Sequence, residues 1–358
     1  MPGTTTDRMA LAAAAARSPA ARAPRFAWRM RSGAVIAALG ALLVVSLVLA
    51  TVLGSVPVPM SSLVTAATSP PSEWGPNEAI LMQVRIPRVV TAAVVGAGLA
   101  MAGVAMQTAL RNPLAEPYLL GISSGASFGA VSVILLGVSL ALPLAAFIGG
   151  LAALAATLLL GRMRGSAQAT RVILAGVAVT ALFSAFTSLT IFRSRDNDSY
   201  RQVLHWLLGS LSSVTWSSAA IAAVSLVLFG GALIVIHRLL DVLLLGDEEI
   251  HSLGLDAKRA RAGVLIPASL LAAGMVSVSG SIGFVGLIVP HIVRRTARFS
   301  QRGLLVASAI AGAVLLVLAD AASRFVVAPQ ELPVGIMTAV LGAIVFAGIM
   351  LQRNREVA

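Results

Sequence analysis

The side chains able to do chemistry are few in this sequence, and their spacing excludes more than it allows. Its four histidines, His205, His237, His251 and His291, are scattered without the close spacing of a metal site, so no metal ligands are assigned. Cysteine is absent, which removes disulfides, thiolate metal sites and cysteine nucleophiles. The single lysine, Lys258, follows Ala257 and precedes Arg259, so the Gly-Lys-Ser/Thr core of a nucleotide-binding loop is missing. No nucleophile stands beside a base, and no catalytic residue is assigned. The 14 carboxylates fall in tails, loops or at the ends of apolar runs. An ion-driven carrier would bury one at mid-membrane, where a charge costs at least about 2.5–3.5 kcal/mol and is kept only for function. On this reading the chain has no fuel site and no ion-coupling carboxylate, and uphill transport needs a partner's energy.

Five polar or glycine-marked groups remain. In the segment 238–262, Gly246 and Gly254 bound a candidate short helix with Asp247, Glu248 and Glu249 in its first turn, where carboxylates complement the helix dipole. The plain alternative is a solvated loop. Arg85, Arg88 and Arg324 are cations that go against the charge bias described below, and Arg324 stands one turn after Asp320, the spacing of an i,i+4 ion pair. Thr180, Ser184, Thr187 and Ser188 form one polar stripe on a helix, suited to gluing helices or to lining a path. Gly121, Gly125 and Gly129 read as a close helix contact. The run 280–294 carries Gly280, Gly283, Gly286 and Pro290, a poor soluble helix but tolerable inside a membrane.

The elements that must position these groups are membrane spans. The chain is 58% hydrophobic and 11% charged, against about 25% charged in a soluble domain. Residues 33–54 are uncharged and longer than a signal's apolar core, so they read as a first permanent span after a disordered cytoplasmic tail, 1–32. A transit peptide is the alternative for that tail. Apolar runs then place one span between Arg88 and Arg111, two between Glu116 and Arg162, and one each at 171–193, 217–237, 303–319 and 332–352. The stretch from Arg261 to Arg294 is long for one helix and short for two. With two helices there, only Arg85, Arg88, Arg193, Arg195, Arg201 and Arg324 of the 26 cations lie opposite the N-terminal side. The positive-inside rule selects that count. The expected fold is an all-α polytopic membrane protein of about ten transmembrane helices over 33–352, with both termini, including the tail 353–358, in the cytoplasm. The net charge of +12 follows this topology and implies no nucleic acid.

Seven segments, in order, carry a resemblance: Arg85–Arg88, Gln107–Pro117, Leu120–Ala126, Trp206–Leu211, Leu245–Gly254, Gly280–Arg294 and Glu331–Gly335. Together they resemble the permease subunit of the ATP-binding cassette importers for iron–siderophore, haem and cobalamin, the FecCD-type permeases. The resemblance implies ten spans in a type II importer arrangement, in the cytoplasmic membrane of a bacterium. It implies ABC ATPase subunits that bind ATP and Mg, an extracytoplasmic substrate-binding protein and a second permease copy or paralogue, all set in membrane lipid. No cofactor belongs to this chain. It implies that Gly246, Asp247, Glu248, Glu249, Ser252, Leu253 and Gly254 couple to the ATPase, and that Arg85, Arg88 and Arg324 receive carboxylates of the binding protein. The helix bearing Thr180, Ser184, Thr187 and Ser188 would line the substrate path. Iron–siderophore is the expected cargo, with cobalamin or haem as alternatives; an ion-coupled secondary transporter is the rival of a different class. One departure stands out: the family's Gly-Ala-Pro-x-Phe reads Gly342-Ala-Ile-Val-Phe346 here, which predicts a straighter last helix.

Overall fold

The computed structural model describes residues 25–54, 58–59, 61–138, 140–161, 168–194, 199–327 and 330–355. All of the regular structure among them is helical. The elements are α1 (Arg25–Val52), α2 (Ser61–Thr68), α3 (Pro76–Ala109), α4 (Ile122–Leu136), α5 (Leu142–Leu160), α6 (Gln168–Arg193) and α7 (Ser199–Leu207). They continue with α8 (Trp216–Val235), α9 (His237–Leu243), α10 (Asp247–Ser252), α11 (Ala257–Ser279), α12 (Val285–Thr296), α13 (Gln301–Ser323) and α14 (Val334–Arg355). Ten of these cross: α1, α3, α4, α5, α6, α8, α11, α12, α13 and α14. Among the described residues, seven are long and apolar enough to do so by length and composition.

Local chemistry sets the helix ends. Asp256 caps α11, its carboxylate accepting from the backbone N–H of Lys258 (2.8 Å) and Arg259 (3.3 Å), and Ser300 caps α13 by accepting from Gly303 N–H (3.2 Å). The first helix starts at Arg25, eight residues before the apolar run. The expected tail therefore loses its last segment to α1, because Arg and Ala are good helix formers and a span already nucleated extends into them at little cost. The rest of that tail, 1–24, lies outside the described residues, as do 356–358.

The core is built around α3, the most buried of the long spans. It packs against α13, α11, α12 and α8, while α4 packs on α5 and α6. Without a hydrophobic drive between helices in lipid, close backbone approach supplies the packing energy. A Cβ on Gly103 of α3 would overlap the carbonyl oxygen of Gly286 in α12, and one on Gly125 of α4 would overlap that of Gly149 in α5. Gly129 likewise abuts Ala145, but Gly121 instead takes φ +78° to start α4. So two of the three spaced glycines make the expected contact.

The stretch 261–294 divides into two helices as the charge bias requires. The division is a break, not a long loop: α11 stops at Ser279, five non-helical residues follow with Gly280 and Phe284 at positive φ, and α12 has only 12 residues. At 1.5 Å per residue that is about 18 Å, short of a hydrocarbon core of about 30 Å. The start of α12 therefore lies inside the bundle. Opposite it, the segment 110–121 folds inward, so that Leu119 reaches Gly176, eight residues along α6. Backbone groups exposed by this break need partners at that depth. Tyr118 Oη donates to Ile282 O (2.7 Å) and accepts from Ile282 N–H (3.2 Å), and Glu116 accepts from Phe284 N–H (2.7 Å). The last helix, α14, runs uninterrupted from Val334 to Arg355.

Candidate coupling helix, outer clasp and path

The glycine-bounded acids do form a helix. α10 holds Asp247, Glu248 and Glu249 in its first turn, with Gly246 at its N-cap. Its chain leaves through Gly254 at φ +74°, a left-handed conformation that costs any residue with a Cβ about 1–2 kcal/mol. Two contacts fix α10 to the bundle. Ile250 is fully buried beneath it. Asp247 pairs with Arg261 of α11 (2.6 Å) and with Arg111 at the end of α3 (3.0 Å). Burial alone pushes the Asp247 carboxyl up, but the hydrogen bond and charge of Arg261, with the charge of Arg111, outweigh it and hold the group below the usual range. Arg111 also donates to the carbonyls of Leu243 and Leu245, tying down the approach to the helix. The opposite face is open: Glu248, Glu249, Ser252, Leu253 and Gly254 are all exposed, Leu253 at 58%. The segment is thus a short helix fastened on one side and presenting acids beside an exposed leucine on the other, and not an unstructured solvated loop. Sequence reasoning missed both anchoring arginines and Ile250. The signal available was the one isoleucine inside an otherwise polar six-residue helix.

The outer arginines are not where a partner could reach them, and this corrects the expected docking set. Arg85, Arg88 and Arg324 are 5%, 6% and 3% exposed. Arg88 binds Asp320 through Nε (3.0 and 3.1 Å) and Glu331 through a terminal nitrogen (2.6 Å). Arg324 completes the i,i+4 pair with Asp320. The two remaining contacts cap α1: Arg85 donates to the carbonyls of Thr51 and Val52, and Arg324 to those of Ala50 and Leu53. These are the orphan carbonyls of a helix C-terminus, where cations are favoured. The group is an internal clasp joining α1, α3, α13 and the segment before α14. Their sequence positions placed them between spans, but such a position carries no information about burial.

The same limit applies to the carboxylates. Asp320 is 1% exposed, and Glu116 lies on the inward fold of segment 110–121. Both keep their expected places, Asp320 near a span end and Glu116 between spans, but each is turned into the protein. Neither is placed as an ion ligand. Asp320 is saturated by two arginines, and Glu116 sits at the start of α12, whose N-terminal dipole already favours a negative charge. No group of three or more metal-ligating side chains occurs among the described residues.

The polar stripe of α6 lies along the border of its buried face. Thr187 is buried and donates to Phe183 O (2.9 Å), Thr180 is half-buried, and Ser184 and Ser188 are exposed. Thus the four do not share one environment: Thr187 faces the bundle, and the two serines look outward from it.

Ten helices around a glycine-packed centre, a helix broken inside the bundle and a fastened inter-span helix define a type II ABC importer permease. The chain belongs to the FecCD transport family, whose profile it matches over residues 42–352. It is 44% identical over 284 residues to the uncharacterized ABC transporter permease protein YvrB of Bacillus subtilis, covering 77% of this chain and 80% of that protein. It is 40% identical to the hemin transport system permease HmuU of Yersinia pestis (77% and 84% covered). Against the Fe(3+) dicitrate transport system permease FecD of Escherichia coli the identity is 38% (84% and 92%). A solved structure described as an inward-facing metal-chelate type ABC transporter superposes with a TM-score of 0.77 at 30% identity, covering 89% of this chain and 99% of that one.

Proposed function

We propose that this permease carries an iron–siderophore complex inward across the cytoplasmic membrane of a bacterium, with haem or cobalamin as the other cargoes its relatives suggest. Two ABC ATPase subunits bind ATP and Mg and do the hydrolysis. An extracytoplasmic binding protein delivers the cargo, and a second permease copy or paralogue completes the path, with both termini in the cytoplasm. In this reading α10 seats in the ATPase, Ser184 and Ser188 of α6 look into the path, and the clasp of Arg85, Arg88 and Arg324 holds the outer ends of the spans as a platform for the binding protein. An ion-coupled carrier is the weaker reading, because both inward carboxylates are already committed to arginines or to a helix start.

The observation that carries the proposal is α10, anchored through Ile250 and Asp247 and exposed through Glu248, Glu249 and Leu253. The test is ATP turnover of the complex in liposomes with loaded binding protein. Glu248→Lys and Gly254→Val should abolish stimulation by cargo while the chain still inserts and assembles its helices. Full stimulation in both variants would remove the coupling assignment. Uptake of labelled ferric siderophore, haem and cobalamin by the same liposomes decides the cargo, and accumulation driven by a pH or sodium gradient without ATPase would overturn the proposal.

A further inference from the structure

A cavity of about 640 Å³ opens at the membrane face that carries α10, between the end of α3, the end of α12 and the start of α13. Three arginines line it, Arg111, Arg294 and Arg298, and none of the described residues lining it is a carboxylate. The charge of Arg111 is shared with Asp247. That of Arg294 is not: its described contact is a hydrogen bond to Gln107 Oε1 (2.7 Å). Gln107 is 3% exposed, and its amide nitrogen is spent on the carbonyls of Gly286 and Leu287. The guanidinium is thus held in place by a neutral side chain that is itself fixed. Gln301, 8% exposed in the same wall, has a buried Oε1 with no donor among the described residues. The site therefore offers cationic donors and one unsatisfied acceptor.

Its position says which anion. Three span ends meet there, so the cavity lies at the level of lipid headgroups. Ser32, at the foot of α1, donates to the Arg298 carbonyl (2.8 Å), and only 11% of the α1 core is buried within the protein, so the rim borders the lipid-facing side. Phe299 and Leu304 supply apolar wall beside the arginines. We propose that this cavity binds the phosphodiester of an anionic lipid whose headgroup also carries a hydroxyl, as phosphatidylglycerol does. Arg294 and Arg298 take the phosphate, and the headgroup hydroxyl donates to Gln301 Oε1.

The experiment is native mass spectrometry of the full-length chain in detergent with phosphatidylglycerol, phosphatidic acid, phosphatidylethanolamine or inorganic phosphate added. The expected result is retained phosphatidylglycerol over phosphatidylethanolamine. Arg294→Gln should weaken it about fivefold, the loss of roughly one surface cation's attraction, and the Arg294→Gln/Arg298→Gln pair further. Replacement of both by lysine should keep most of the binding and reports on folding. Gln301→Leu should weaken phosphatidylglycerol while sparing phosphatidic acid, which lacks the headgroup hydroxyl. Three results would each overturn the proposal. The first is undiminished lipid retention in the glutamine pair. The second is displacement of the lipid by millimolar inorganic phosphate. The third is loss of co-purifying ATPase in the glutamine pair with lipid retention unchanged, which would make the cavity a protein contact.

Discussion

Replacing Asp247 by asparagine tests whether α10 is fastened or merely resting on the bundle. The aspartate holds Arg261 at 2.6 Å and Arg111 at 3.0 Å, with side-chain exposures of 42% for Asp247, 34% for Arg111 and 10% for Arg261. Solvent screens pairs this open, so each contributes about 0.2–1 kcal/mol, the Arg261 pair nearer the top of that range. The amide would keep one acceptor oxygen and lose the charge, so the expected loss is about 1 kcal/mol in the local opening of α10. That corresponds to about fivefold faster amide exchange at the groups closing this turn, Ile250, Leu253, Gly254 and Leu255, which bond to Gly246, Glu249, His251 and Ile250. Glu248→Gln is the control, since Glu248 is exposed and contributes nothing to the anchor. The pH dependence has a definite sign. Because the folded carboxyl is held below its unfolded value, its stabilisation is complete above that unfolded value, about 3.9, and fades as pH falls through the lower folded one. Exchange corrected for intrinsic rates should therefore be flat between about pH 6 and 8, well above both values. Unchanged exchange in Asp247→Asn, within about twofold, would refute the anchoring argument.

Two further outcomes follow from the packing. Asp320→Asn leaves Arg88 and Arg324 buried with one carboxylate fewer, and breaking such a pair costs about 3–5 kcal/mol. The protein should melt markedly lower in detergent, and a loss under about 1 kcal/mol, the range of a solvated pair, would show that water reaches the clasp. Gly103→Ala drives a methyl into the Gly286 carbonyl oxygen, backbone that cannot yield cheaply. It should destabilise the helix pair by about 1–3 kcal/mol, whereas Gly348→Ala, with open space around it, should be neutral in the same melt.

Much of the architecture was legible because lipid imposes few solutions. Apolar run length gave most spans, and cation placement split 261–294 correctly, since both are dictated by the solvent and not by tertiary detail. The acid-rich helix was legible for a similar reason: Gly246, Gly254 and three leading carboxylates are local signals. What stayed hidden was depth. Arg85, Arg88, Arg324, Glu116 and Asp320 all sit near span ends in the sequence, and all turn inward, because each satisfies backbone or charge left open by a distant segment. The partners of Arg88 are 232 and 243 residues away. No periodicity encodes such a pairing. The environment of Thr187 was hidden for a subtler reason. Its stripe is one face by angle, yet that face straddles the boundary between bundle and surroundings.

The fastening of α10 has a mechanical consequence. Its anchors are the foot of α3 and the foot of α11, the two most buried long spans. A push on this small helix is thus applied to the central struts and not to the outer ring. The regular α-helical part of α3, Ile86–Ala109, has 24 residues, about 36 Å of rod. Rocking such a rod by roughly 5° about one end swings the other through roughly 3 Å, comparable to the width of a side chain. The lever needs no hinge of its own, because the rod's length supplies the gain.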